Sequence, residues 1–104
     1  MTKMARTERL LVLAKTLAGQ ALSLSVEELI CFLTVAGRPG LSVGELAEAA
    51  ALPQSTVSRH LKRLSGDLIA QKVHPLHGRQ KALHLSKEGR ALLARFDQVL
   101  KRGA

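Results

Sequence analysis

The segment "SVGELAEAAALPQSTVSRHLKRL", residues Ser42–Leu64, constrains the fold more than any other part of the chain. It opens on a capping box. The Ser42 hydroxyl can accept from the Glu45 amide, and the Glu45 carboxylate can reach back to the Ser42 amide. A helix therefore starts here, with Val43, Leu46, Ala47 and Ala50 at the spacing of one helical face. It must end before Pro53, because the residue preceding a proline is pushed out of the helical region. A second helix starts at Gln54, with Pro53 near its N-terminus, where a missing N–H does no harm. Gly66 supplies its C-terminal stop.

The second helix carries little apolar surface. At about 100° per residue, Val57, Leu61 and Leu64 share one narrow arc, while Ser55, Arg59, Lys62 and Arg63 point roughly the other way and Gln54 and Ser58 lie at the margin. The strip can seat the helix on a domain. What remains is a convex face of hydroxyls near the N-terminus and cations further along. A B-DNA major groove, about 12 Å wide, admits one helix. Short side chains let the backbone approach base edges, and longer cations reach guanine edges or phosphates. Gln54, Ser55, Thr56, Ser58 and Arg59 are thus the expected base-contacting residues, with Lys62, Arg63 and Ser42 expected at phosphates. A charge run taken alone is usually a solvated face. The capped helix and tight turn ahead of this one favour the groove.

The flanking sequence completes the pattern. Thr7 to about Leu22 is helical in periodicity, with Leu10, Ala14, Leu17 and Ala21 in one stripe and Leu11, Ala18 and Leu22 widening it. That arc is broader than a one-sided surface helix needs, so a second subunit is a plausible cover. "SVEE", Ser25–Glu28, is another capping box, opening a helix to about Val35 that "AGRPG" stops. Leu68–Val73 and Lys81–Leu85 read as strands; the second alternates, Ala82 and His84 on one face, Leu83 and Leu85 on the other. The turn "HPLHGRQ" joins them. Ser86 caps a last helix whose apolar face is Ala91, Leu92, Phe96, Val99 and Leu100. Two short helices across a tight turn, followed by a hairpin, make a winged helix-turn-helix. The expected class is mainly α (α+β), one domain over 1–104. The helix-turn-helix covers about 42–65 and the two-stranded wing about 68–85; short terminal helices for dimerisation cover about 7–22 and 87–102. At the wing tip Arg79, then Lys81 and His77, are the expected minor-groove contacts.

Charge agrees with this layout. Of the net +8, residues 1–53 contribute nothing, with five cations against five acids; residues 54–104 hold eleven cations against three acids. The anion-binding face should lie in the second half. The only aromatics are Phe32 and Phe96, so stacking platforms for single strands or RNA are missing, which favours duplex DNA.

"LSVGELAEAAALPQSTVSRHLKRL" is similar to the helix-turn-helix of the MarR (multiple antibiotic resistance regulator) family, and "GRQKALHLSKEGRALL" resembles its wing and the start of its last helix. "STVSRHL" is shared with arsenic-repressor-type and other winged-helix regulators; the pattern R-x-K-x-L-x-L-S-x-x-G, Arg79 to Gly89, narrows the resemblance, which spans about residues 25–95. It implies homodimers joined through their terminal helices, palindromic operators, and Arg79 as the wing arginine. Gly78 stands where the family usually has an acidic residue to orient that arginine, and both terminal helices are short.

Other chemistry is weakly represented. Cys31, mid-helix with no cation nearby in sequence, reads as buried and inert rather than as a sensing thiol. His60, His74, His77 and His84 match no common zinc spacing, and wing histidines near phosphates are the favoured reading. There is no nucleophile elbow and no Gly-rich phosphate loop, so no enzyme, metal or cofactor is expected. One cysteine, no signal peptide and no membrane-length apolar run suit the cytoplasm and association with the nucleoid, not a membrane. The expected function is a sequence-specific, double-stranded-DNA-binding transcriptional regulator, a repressor acting as a homodimer. The alternatives are a low-specificity DNA-binding accessory protein or a basic protein-interaction module. The sequence names no effector.

Overall fold

A computed structural model of the chain describes residues 6–19, 23–73 and 81–101. Among them are helices α1 (Arg6–Ala18), α2 (Val26–Gly37), α3 (Val43–Ala50), α4 (Gln54–Leu64) and α5 (Lys87–Lys101), and strands β1 (Ile69–Val73) and β2 (Lys81–Leu85). The order is that of a winged helix-turn-helix, as expected. Thr7 falls inside α1, which the structure describes as far as Ala18. Ala21 and Leu22 lie outside the described residues.

Both capping boxes form. Ser25 N–H donates to Glu28 Oε1 at 2.8 Å while Glu28 N–H donates to Ser25 Oγ at 3.1 Å. Ser42 and Glu45 repeat the exchange at 3.0 and 3.1 Å. Each box satisfies first-turn amides that have no partner within the helix. Helix α2 runs past Val35 to Gly37, with Arg38 closing it through its N–H to the Thr34 carbonyl. Helix α3 ends on Ala51 at φ 57°, ψ 41°, a left-handed conformation unusual for a residue with a Cβ. The Leu52 N–H then returns to the Ala47 carbonyl at 3.1 Å, and Pro53 leads directly into α4.

The core is one cluster: Cys31, Phe32 and Val35 from α2, Leu46 and Ala47 from α3, Val57, Leu61 and Leu64 from α4, Ile69 and Leu83 from the strands, and Leu92 and Phe96 from α5. Strands β1 and β2 pair antiparallel with Ile69 opposite Leu85 and Val73 opposite Lys81. The inner strand β2 also meets Leu41: Leu83 N–H donates to the Leu41 carbonyl and Gly40 N–H to the Leu83 carbonyl, both at 2.8 Å. The wing is thereby fixed to the segment that leads into α3. Ala82 and Leu83 are both buried, so β2 is covered on both faces there and its alternation is one of direction, not of burial.

Helix α1 has no buried residue. Leu13 and Leu17 pack partly on the core, while Leu10 and Leu11 are 65% and 53% exposed. With Leu33 of α2 and Leu100 of α5, these leucines leave the α1 side of the molecule apolar and open. A groove of about 170 Å³ lies there, lined by Leu13, Leu17, Leu29, Leu93, Phe96 and neighbouring leucines.

Candidate nucleic-acid interface

Helix α4 sits on the domain by the narrow strip read from the sequence: Val57 and Leu64 are fully buried and Leu61 nearly so. The opposite face is open. Gln54, Ser55, Ser58, Arg59 and Lys62 are exposed, and Thr56 is half-buried. The N-termini of α2, α3 and α5 are capped by serine hydroxyls, Ser86 accepting from the Gly89 amide at 3.0 Å in α5. The N-terminus of α4 has Pro53 at the cap position and no side-chain cap. Its first-turn amides thus have no side-chain cap, at the end of a helix that favours anions.

Two of the expected phosphate contacts have other partners. Arg63 donates through Nη1 to Glu28 Oε1 and through Nη2 to the Ser23 carbonyl at 2.6 Å. Its guanidinium thus turns back toward α2. Glu28 is almost fully buried, and a buried carboxylate needs a counter-charge. Ser42 uses its hydroxyl as the acceptor that caps α3, keeping only its own proton to donate. Lys62 remains exposed, with no such engagement among the described residues. Lys81 opens β2 and is exposed; His77 and Arg79 lie outside the described residues, as does His74.

Glu28 shows opposing influences. Burial disfavours its charge, but the Ser25 amide, the Arg63 guanidinium and the Ser25 hydroxyl together hold its carboxyl below the ordinary carboxylate value. Cys31 goes the other way. Its thiol is fully buried, and burial, reinforced by the Glu27 and Glu28 carboxylates, pushes its pKa up, away from thiolate chemistry. His60 lies 2.9 Å from Glu27. Among the described residues no group of three His, Cys, Asp or Glu side chains is placed to hold a metal ion. Nor is any helix among them long and apolar enough to cross a membrane. The Arg63–Glu28–Ser23 connection was not legible in the sequence. Its spacing marks Glu28 as the capping-box glutamate, but nothing in that spacing pairs it with a residue so distant in the chain.

A capped helix, a tight turn, an open-faced second helix and a two-stranded wing define a winged helix-turn-helix, the architecture of DNA-binding transcriptional regulators. A helix-turn-helix domain family model matches residues 15–71, more than half of the chain, so the protein belongs to that family, and its fold is of the MarR type. The crystal structure of MarR superposes with a TM-score of 0.67 at 27% identity, covering 94% of this chain and 70% of that one. A MarR family transcriptional regulator from Silicibacter pomeroyi gives 0.70 at 25% identity, covering 86% of this chain and 60% of its own. The MepR–DNA complex of S. aureus gives 0.76 at 21% identity, covering 91% and 78%, a likeness of fold. No curated protein sequence matches the chain. Family and fold are those of a regulator, not an enzyme.

Proposed function

We propose that this regulator reads a specific sequence in double-stranded DNA as a homodimer on a palindromic operator, and that it represses by occupying that site. The observation that carries the reading is the open face of α4. Gln54, Ser55, Ser58 and Arg59 are exposed over a fully buried seat, beside an N-terminus without a side-chain cap. Gln54 suits adenine, its amide donating to N7 and accepting from the N6 amino group, and Arg59 suits guanine, its guanidinium donating to both O6 and N7. Ser55, Ser58 and the half-buried Thr56 allow close approach. Lys62, and the Ser42 hydroxyl proton at the start of α3, serve phosphates. Lys81 at the base of the wing, with His77 and Arg79 ahead of it in sequence, serves the neighbouring minor groove.

The dimer is supported by the apolar α1 side, where Leu10, Leu11, Leu33 and Leu100 stand exposed around a leucine-lined groove. An open apolar surface of that kind marks an interaction site, and a second copy of the chain is the occupant that fits the terminal-helix position. A twofold dimer presents two copies of α4, and its operator must share that symmetry, with half-sites about one helical turn apart. Bound at a promoter in the cytoplasm, such a dimer needs no further activity to block transcription.

Selection of bound duplexes from a random pool, with a mass measurement of the free protein, tests the reading. The expected result is an inverted repeat and a dimer mass. Arg59→Ala should relax base preference at one position in each half-site, by about 1–3 kcal/mol of discrimination. Lys62→Ala should weaken all sequences alike and lower the salt slope by about one. Equal affinity for every duplex, governed by salt alone, would instead mean a low-specificity DNA-coating protein. Binding to acidic proteins with no retention of duplex would mean an interaction module.

A further inference from the structure

Arg63 lies on the outer half of α4, one turn beyond Arg59, yet both of its terminal nitrogens bond back into the protein. One goes to Glu28 in the first turn of α2, the other to the Ser23 carbonyl in the segment between α1 and α2. Glu28 Oε1 is shared: it accepts from Arg63 and also from the Ser25 amide that closes the α2 capping box. A second pair, His60 with Glu27, joins the same two helices one turn away along α4.

The seat of α4 explains why this matters. Val57, Leu61 and Leu64 form a single narrow strip, and such a strip resists lifting of the helix better than rolling about its axis. Bonds off to one side of the strip resist the roll. Residues four apart share a helix face, so a roll that strains the Arg63 bonds swings Arg59 through the same angle. We propose that Arg63 is a positioning residue and not a DNA contact: it locks the roll of α4 against Ser23 and Glu28, so that Ser23 and the first turn of α2 set the angle at which Arg59 and Gln54 meet the groove. This rests on reading α4 as the DNA-contacting helix. Moving Arg63 to a phosphate would strip the counter-charge from a carboxylate that is 2% exposed and whose Oε2 has no hydrogen-bond partner among the described residues.

The test measures affinity for the selected duplex against salt concentration, with the urea midpoint of each variant recorded alongside. Arg63→Lys keeps a cation for a phosphate but loses the planar fork that spans Glu28 and Ser23. Glu28→Gln keeps the capping box, which accepts glutamine at this position, and removes the counter-charge. Each should weaken binding by about tenfold at an unchanged salt slope, since about one charge-assisted hydrogen bond is lost. The combined variant should be no weaker than the weaker single one, because both break the same link. Three results would overturn the proposal. Arg63→Lys could bind like the parent while Glu28→Gln binds as tightly or more tightly. Arg63→Ala could lower the salt slope by about one, as a phosphate contact does. Or the variants could lower the urea midpoint and leave DNA affinity at the parental value. Lys62→Ala runs as the control: if it leaves the slope unchanged, or if the parent retains no duplex, it is the DNA-reading assignment of α4 that has failed.

Discussion

Gly89 offers the sharpest check on the packing. It is the third residue of α5, where general helix propensity says that alanine should be better by at most about 1 kcal/mol. The structure reverses that sign. A Cβ built on Gly89 would stand 2.2 Å from the Leu68 carbonyl oxygen and 3.1 Å from its carbon. Both atoms are backbone, so no rotamer change relieves the contact. Reaching ordinary contact requires a retreat of roughly 1 Å at the entrance to β1. The Leu68 oxygen is not free to move, because it accepts the Ser86 amide at 2.9 Å. Overpacking of this kind costs about 1–3 kcal/mol, and weakening the Ser86 bond adds about 1 kcal/mol. After the propensity gain, Gly89→Ala should destabilise the fold by about 2 kcal/mol. For a domain of this size that lowers the melting temperature by roughly 10 °C. Urea unfolding followed by far-ultraviolet circular dichroism, at one fixed protein concentration, measures it. Gly37→Ala is the control: nothing lies within 4 Å of its added Cβ, so it should be neutral or slightly stabilising. If Gly89→Ala is as stable as the parent, the close approach of α5 to the wing is wrong.

Three other outcomes follow from local geometry. Ala51→Gly should raise stability by a few tenths to about 1 kcal/mol in the same urea assay, because the left-handed strain removed exceeds the entropy that glycine adds to the unfolded chain. A loss would mean that Ala51 is not left-handed. Glu28 has a lowered pKa in the folded chain, so its contribution to stability is full above the unfolded value near 4.5 and is lost as pH falls through the folded value. A plot of urea midpoint against pH should therefore fall more steeply on the acid side for the parent than for Glu28→Gln; parallel curves would contradict the bonding described. Cys31 should react with a thiol reagent far more slowly in the native protein than in denaturant, since its thiol is buried and its pKa raised; equal rates would place it at the surface.

Much of this fold was legible because its signals are local. A capping box needs only a serine and a glutamate at fixed spacing, and both boxes formed as read. Pro53 fixed the α3–α4 boundary, and the periodicity of Val57, Leu61 and Leu64 predicted the buried side of α4. What was not legible involves distant partners. Gly89 fitted a family pattern, but only the three-dimensional approach of Leu68 explains why the position must be glycine. Arg63 looked like its neighbour Lys62 in sequence. The two are separated by Glu28, which lies 35 residues away and buries its carboxylate beside one of them alone. Ala51 carries no sequence mark of its left-handed backbone, since alanine ordinarily signals helix.

The composition of α4 follows from two requirements that compete for the same eleven residues. A helix is held most firmly by burying a broad apolar face, but every position given to the core is taken from the surface offered to a partner. Thr56 and Ser58 flank Val57, and leucines there would widen the seat while removing the short hydroxyls that allow close approach to a groove. The domain instead keeps the strip narrow and recovers rigidity from the side. The Ser25–Glu28 box prepares a buried carboxylate, and Arg63 reaches it from α4. Capping of α2 and orientation of α4 thereby become one network, with Glu28 common to both. The residues that fix α4 need not touch whatever it reads, and exchanging its exposed face for another would leave its anchorage intact.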